Sequence, residues 1–128
     1  MGSKTRTGRI LESLNDAKGS LQSLTDLWQS HDSTWESSPK IYQQAAKAAL
    51  DLGEGFLAYD IAAAGLSCFK SDHRLAQMQA LALARTGSPE AANIALRNLT
   101  DAGHSDEETL GLLARTHKDL WQLAIYEK

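Results

Sequence analysis

The chain has 128 residues, 42% of them hydrophobic and 23% charged, with a net charge of −3. That length suits one domain with one modest core, and that composition excludes a wholly disordered chain. The acidic balance argues against a general nucleic-acid binder, no apolar run approaches the roughly 18 residues of a membrane span, and a lone Cys68 forbids an internal disulfide.

Alanine and leucine dominate and β-branched residues are few, so the expected class is all-α. Residues 1–8 are polar and expected to fray. From Arg9 to Ser30, the residues Ile10, Leu14, Ala17, Leu21, Leu24 and Trp28 recur at steps of four and three. That spacing predicts one helix of about six turns with a narrow apolar stripe. Gly19 lies in its middle, at a cost of roughly 1 kcal/mol against alanine. Residues 31–38 form a polar loop holding Trp35. Ser38-Pro39 opens the next helix, serine as N-cap and proline at the first helical position, where no amide bond is lost. Tyr42, Ala45, Ala46 and Ala49 form its buried stripe, and Gly53 ends it.

A further helix runs from about Gly55 to Cys68, with Ala58, Ile61, Ala62, Gly65, Leu66 and Phe69 on one face. Asp72 suits the N-cap of a helix from His73 to Thr86. Gly87 suits its left-handed exit, and the hydroxyl of Ser88, ahead of Pro89, should cap the helix carrying Ala92, Ala95, Leu96 and Leu99. Ser105 and Glu108 read as a capping box for the last helix. That helix should run unbroken through Trp121 to about Tyr126, burying Leu110, Leu113, Ala114 and His117.

Gly53 and Gly87 lie 34 residues apart, and the same step aligns Ala46, Ala80 and Ala114, and Ala58 with Ala92. Tyr42, Ala76 and Leu110 align too, as do Ala49, Leu83 and His117. The register resembles the tetratricopeptide repeat. Tyr42 takes its tryptophan place, the aligned alanines its small places, and the glycines its turn. Gln79, Ala62, Leu96, Lys70 and His104 depart from its pattern. The segment from Arg74 to Trp121 is similar, more narrowly, to the repeats of bacterial proteins that resemble the TRAFs-binding region of the apoptosis-signal-regulating kinases. Ala114-Arg115-Thr116-His117-Lys118-Asp119 matches a family motif there, with Ala for Gly and His for Tyr. The resemblance implies a right-handed stack of antiparallel helix pairs, a TPR-like α-solenoid of about six helices. The pairs fall at 39–69 and 73–103, flanked by a packing helix at 9–30 and a terminal helix at 106–127. A single domain excised from a longer, bacterial, cytoplasmic protein is the expectation.

The resemblance further implies that fixed places of each first helix line a concave groove. They are Lys40, Gln43, Lys47, Leu50 and Asp51, then Arg74, Gln77, Leu81, Ala84 and Arg85, then Glu108, Gly111, Arg115, Lys118 and Asp119. Six of these are basic and three acidic, on a chain that is acidic overall. A protein–protein interaction scaffold is therefore the expected function, with an acidic peptide or partner on Lys40, Gln43, Lys47, Arg74, Gln77, Arg85, Arg115 and Lys118. The alternative is a structural self-association module, a homodimer through the stripe of residues 10–28. Neither a membrane nor a nucleic acid is an expected partner. His31, His73, His104 and His117 are scattered, with no H-x3-H or C-x2-C spacing, so neither metal nor cofactor is expected. Asp106, Glu107 and Glu108 suit the dipole of a helix first turn better than catalysis. No nucleophile or phosphate-binding motif appears, and the expected class is not an enzyme.

Overall fold

A computed structural model of the chain describes residues 5–126. Residues 1–4, expected to fray, and Glu127, the expected end of the last helix, lie outside the described residues. The described residues form seven α-helices and one 3₁₀ turn, with no strand. In order they are α1 (Arg6–Asp16), α2 (Leu21–Gln29), the 3₁₀ turn (Ser33–Ser37), α3 (Pro39–Asp51), α4 (Gly55–Cys68), α5 (His73–Arg85), α6 (Pro89–Asp101) and α7 (Glu107–Tyr126).

The single helix expected over residues 9–30 is two. Gly19 adopts φ +81°, a left-handed conformation that ends the first helix, and Ser20 caps the second by accepting from the Ser23 amide. A straight helix of that length would span about 33 Å, against about 20 Å for α3. Folding at Gly19 lets both pieces lie on α3 instead. Leu14, Ala17 and Leu24 are buried there, so the stripe of residues 10–28 is mostly core and presents no continuous dimer seam. Trp35 also leaves the expected polar loop for the core. Its ring meets Tyr42 edge-on at 5.5 Å and Trp28 at the same distance, while Trp28 stacks on His31 at 4.0 Å.

From Pro39 onward the chain zigzags. Each helix packs on the next, and the first helices of successive pairs also touch, α3 with α5 and α5 with α7. Gly53 and Gly87 both have φ near +80 to +90°, and each turn closes by the same amide-to-carbonyl bonds, Glu54 to Ala49 and Ser88 to Leu83, at 2.9 Å. Ser38 caps α3 as its sequence implies. Ser88 makes no side-chain cap bond. Its ψ of 60°, set by the tight turn, differs from the extended 133° of Ser38, and its hydroxyl does not reach the first-turn amides. In α7 the cap is Asp106, which accepts from the Thr109 amide at 2.8 Å, and not a Ser105–Glu108 box.

Ala46, Ala58, Ala80 and Ala92 have no exposed surface, and they sit where neighbouring helices meet. A Cβ added at Gly65 of α4 would come within 2.8 Å of both the Tyr42 Cβ and Leu75 Cδ1. The first helices thus have two working sides. Leu75 of α5 meets the preceding second helix, α4, at Gly65, and Tyr42 of α3 meets the same helix as the following one; Thr109 and Leu110 of α7 stand at the corresponding repeat positions. This explains α7. Thr109, Leu112 and Thr116 are buried, whereas Leu110, Ala114 and His117, expected inside, are exposed and Leu113 only half-buried. Only the side of α7 toward α5 and α6 has helices to meet, and Asn93 of α6 donates to the Thr116 hydroxyl there at 2.9 Å.

Two substitutions test the close approach. Gly65→Ala gains about 1 kcal/mol of helix propensity but places a methyl against the backbone-anchored Tyr42 Cβ, so urea denaturation should show a net loss of about 1–3 kcal/mol. Ala80→Leu should cost about as much by overpacking the α5–α6 contact; unchanged midpoints for both would mean that the helices do not touch there.

Candidate functional site

The three first helices α3, α5 and α7 converge on one cavity of about 200 Å³. Lys47, Leu50 and Asp51 come from the last turns of α3, Arg74, Gln77, Met78, Leu81 and Arg85 from α5, and Glu108 from the first turn of α7. These α5 residues fall at steps of three, one, three and four, so one side of that helix forms most of the floor.

Hydrogen bonds that repeat at the 34-residue step hold the walls in place. The Gln43 side-chain amide donates to both Asp72 carboxylate oxygens, at 3.1 and 3.0 Å. Gln77, one repeat on, donates to Asp106 at 3.3 Å and to the Thr109 hydroxyl at 2.8 Å. Each aspartate also caps the next first helix, Asp72 by accepting from the Leu75 amide and Asp106 from the Thr109 amide, both at 2.8 Å. A glutamine in one first helix therefore latches onto the cap of the next. The Thr109 amide and hydroxyl, with a smaller contribution from Gln77, hold the Asp106 carboxyl below its ordinary value.

The cations in the cavity are not bare. Lys47 pairs with Asp51 at 2.8 Å, one turn away on the same helix, and both side chains are more than half exposed. Arg74 pairs with Glu108 at 2.8 Å across α5 and α7 and also donates to the side-chain oxygen of Gln77. Arg85 donates to the Leu50 carbonyl near the end of α3 at 2.9 Å. Exposed pairs of this kind contribute about 0–1 kcal/mol each, so a competing anion can exchange with them.

Of the eight residues singled out from the sequence, Lys47, Arg74, Gln77 and Arg85 line the cavity. Lys40, Gln43, Arg115 and Lys118 do not. Gln43 is engaged with Asp72, and Lys40 is exposed in the first turn of α3. Arg115 lies two turns beyond Glu108 on nearly the same side of α7, and Lys118 is rotated further outward. Met78 was missed, since its column holds the polar Gln44 in α3. The sequence marks Asp72 and Asp106 only as helix-start residues, although their pairing with Gln43 and Gln77 repeats at the same step.

Over residues 43–128 the sequence matches the family described as TPR-S, Tetratricopeptide Repeats-Sensor. The chain belongs to that family. Comparison with curated proteins and with solved structures returned no match. The TPR-S match starts within α3 and takes in every residue that lines the cavity.

The other chemistry-bearing residues are spread over this repeat domain. The Tyr42 hydroxyl lies 3.9 Å from the Cys68 thiol, and burial, with that contact second, pushes the phenol up to about 12, so it stays protonated at neutral pH. His73 and His104 stack at 4.5 Å beside the α5 start. Among the described residues no group of three His, Cys, Asp or Glu could hold a metal ion, and no helix is long and apolar enough to cross a membrane.

Because the Asp106 pKa is lower in the folded chain than in the unfolded one, its stabilising effect is present above the ordinary carboxylate range. It is lost as pH falls through the lowered folded value. Acid titration should therefore loosen the start of α7, read as faster amide exchange at Thr109, and Asp106→Asn should flatten that part of the pH dependence. Gln77→Met, which removes the bonds from Gln77 to Asp106 and to the buried Thr109 hydroxyl, should cost about 1–3 kcal/mol in chemical denaturation.

Proposed function

We propose that this TPR-type interaction module holds an acidic segment of a partner protein in the cavity between α3, α5 and α7. The observation that carries the reading is the meeting of Lys47, Arg74 and Arg85 around one cavity on a chain whose net charge is −3. Repeats of this class generally bind proteins or peptides and are typically non-enzymatic. The likeness of residues 74–121 to the repeats near a TRAFs-binding region supports a protein partner as well. In this reading the pairs stack as a right-handed solenoid, and Arg115 extends the basic face past Glu108.

The chemistry is exchange. A ligand carboxylate replaces Asp51 at Lys47 and Glu108 at Arg74, while Leu50, Met78 and Leu81 give its side chains an apolar floor. Desolvation of the site strengthens each new charge-assisted bond. The lone, exposed Cys68 supports a reducing, cytoplasmic setting. Self-association through residues 10–28 finds no support, because that stripe is largely spent on the core.

Titration with a glutamate- and aspartate-rich peptide tests this. Lys47→Ala should weaken binding about tenfold, and Glu108→Gln, which frees Arg74, should tighten it. Raising salt from 0.1 to 1 M shortens the screening length from about 10 Å to about 3 Å and should weaken binding steeply. Salt-insensitive binding, or a Glu108→Gln variant that binds no better, would contradict an electrostatic site.

A further inference from the structure

The cavity between α3, α5 and α7 is not uniform along its length. On the side of α5 that forms the floor, Arg74, Met78, Leu81 and Arg85 follow at steps of four, three and four. Two apolar residues therefore lie between two arginines whose backbones are about 16 Å apart along the helix. Arg74 is tied to Glu108 and Gln77, and Arg85 to the Leu50 carbonyl. Lys47 is placed differently. Along α3 it lies between Gln43, which reaches Asp72 ahead of α5, and Leu50, whose carbonyl takes Arg85 from the last turn of α5. It therefore stands beside the middle of α5, over the apolar part of the floor. Its ion-pair partner Asp51 lies on its own helix, where both side chains are more than half exposed.

Charge and volume together define what fits. Lys47, Arg74 and Arg85 against Asp51 and Glu108 leave the lining with a net charge of +1. One ligand carboxylate neutralises that charge. Every further carboxylate meets Asp51 and Glu108 without a cation left to balance it, and like charges brought together are costly. The volume of about 200 Å³ lies below the roughly 300 Å³ at which sites for drug-sized ligands begin. It is nevertheless ample for one ring, since an apolar cavity of about 150 Å³ holds benzene.

We propose that the cavity reads one aromatic side chain two positions from one carboxylate in the partner segment, and not a run of acidic residues. This rests on the peptide-binding reading above and names its ligand more narrowly. In an extended segment, side chains two positions apart share a face and lie about 7 Å apart. The ring settles on Leu50, Met78 and Leu81, with the Met78 sulfur at its edge. The flanking arginines favour an aromatic ring over an aliphatic chain, because a guanidinium is attracted to the ring face. The carboxylate takes Lys47 from Asp51.

Competition against a labelled acidic peptide, read by fluorescence anisotropy, tests the proposal. The competitors are seven-residue peptides with both ends blocked, built of glycine and serine around one phenylalanine and one glutamate. The glutamate stands two positions before the phenylalanine in one peptide and two positions after it in the other. At about 0.15 M salt the tighter of the two should outcompete a blocked heptaglutamate. Alanine in place of its phenylalanine should weaken binding at least about tenfold, and leucine should weaken it less but measurably. Glutamine in place of its glutamate should also weaken binding. Leu81→Gln should shrink the preference for phenylalanine over alanine at least about threefold, with the helical circular dichroism unchanged. The comparisons among peptides do not depend on that variant folding. Heptaglutamate binding as tightly as the phenylalanine peptides, or alanine or leucine serving as well as phenylalanine, would overturn the proposal and leave the acidic-segment reading standing. No competition by any peptide up to about 1 mM, with no binding of the labelled peptide, would overturn both.

Discussion

The stack depends on helices approaching one another at positions that carry almost no side chain. Gly65 leaves room for Tyr42 and Leu75 where one methyl would collide with both. Ala46, Ala58, Ala80 and Ala92 do the same at the other crossings and expose nothing. Such contacts have no large residue to bury, so their stabilisation comes from close packing over many atoms. They are correspondingly intolerant of added volume. The turns at Gly53 and Gly87 return each helix along its neighbour at the right distance, and everything further out inherits that spacing.

Side-by-side first helices follow from it, and the glutamine latch sets their order. Gln43 and Gln77 sit at equivalent places, and each reaches the aspartate that caps the next first helix. A side chain that would otherwise point into the groove is thereby consumed in fixing its walls. The cations that remain, Lys47, Arg74 and Arg85, converge because α3 and α5 are parallel neighbours at this spacing. Their internal partners keep them ordered without neutralising the cavity, since three cations meet Asp51 and Glu108 alone. Such order would reduce the entropy lost on binding the acidic segment proposed above.

Much of this was legible in the sequence where the signal was local. Ser38-Pro39, Asp72, Gly53 and Gly87 mark helix ends by backbone chemistry that tertiary context does not override. The break at Gly19 was not legible, because one glycine in a helical pattern costs little and the reason for the break lies in the length of α3. The buried side of α7 was misread for a different reason. Leu110, Ala114 and His117 continue the repeat's columns, while the true inner side carries Thr109 and Thr116, whose hydroxyls meet Gln77 and Asn93. Hydrophobic periodicity cannot see a polar residue whose partner lies on another helix. The same blindness affects the cavity, since column position groups Lys47, Arg74, Gln77 and Arg85, which line it, with Gln43, which is engaged with Asp72.

The most direct test of this account is a double-mutant cycle between Gln43 and Asp72. Asp72→Ala removes the α5 cap as well as the latch, but the cap loss occurs in both backgrounds and cancels in the cycle. Urea denaturation of Gln43→Ala, Asp72→Ala and the double variant should give a coupling energy of about 1–2 kcal/mol, the size of a partly buried hydrogen bond to a charge. A coupling within about 0.3 kcal/mol of zero would mean that the first helices are not held by this contact, and the account of how the groove is built would fail.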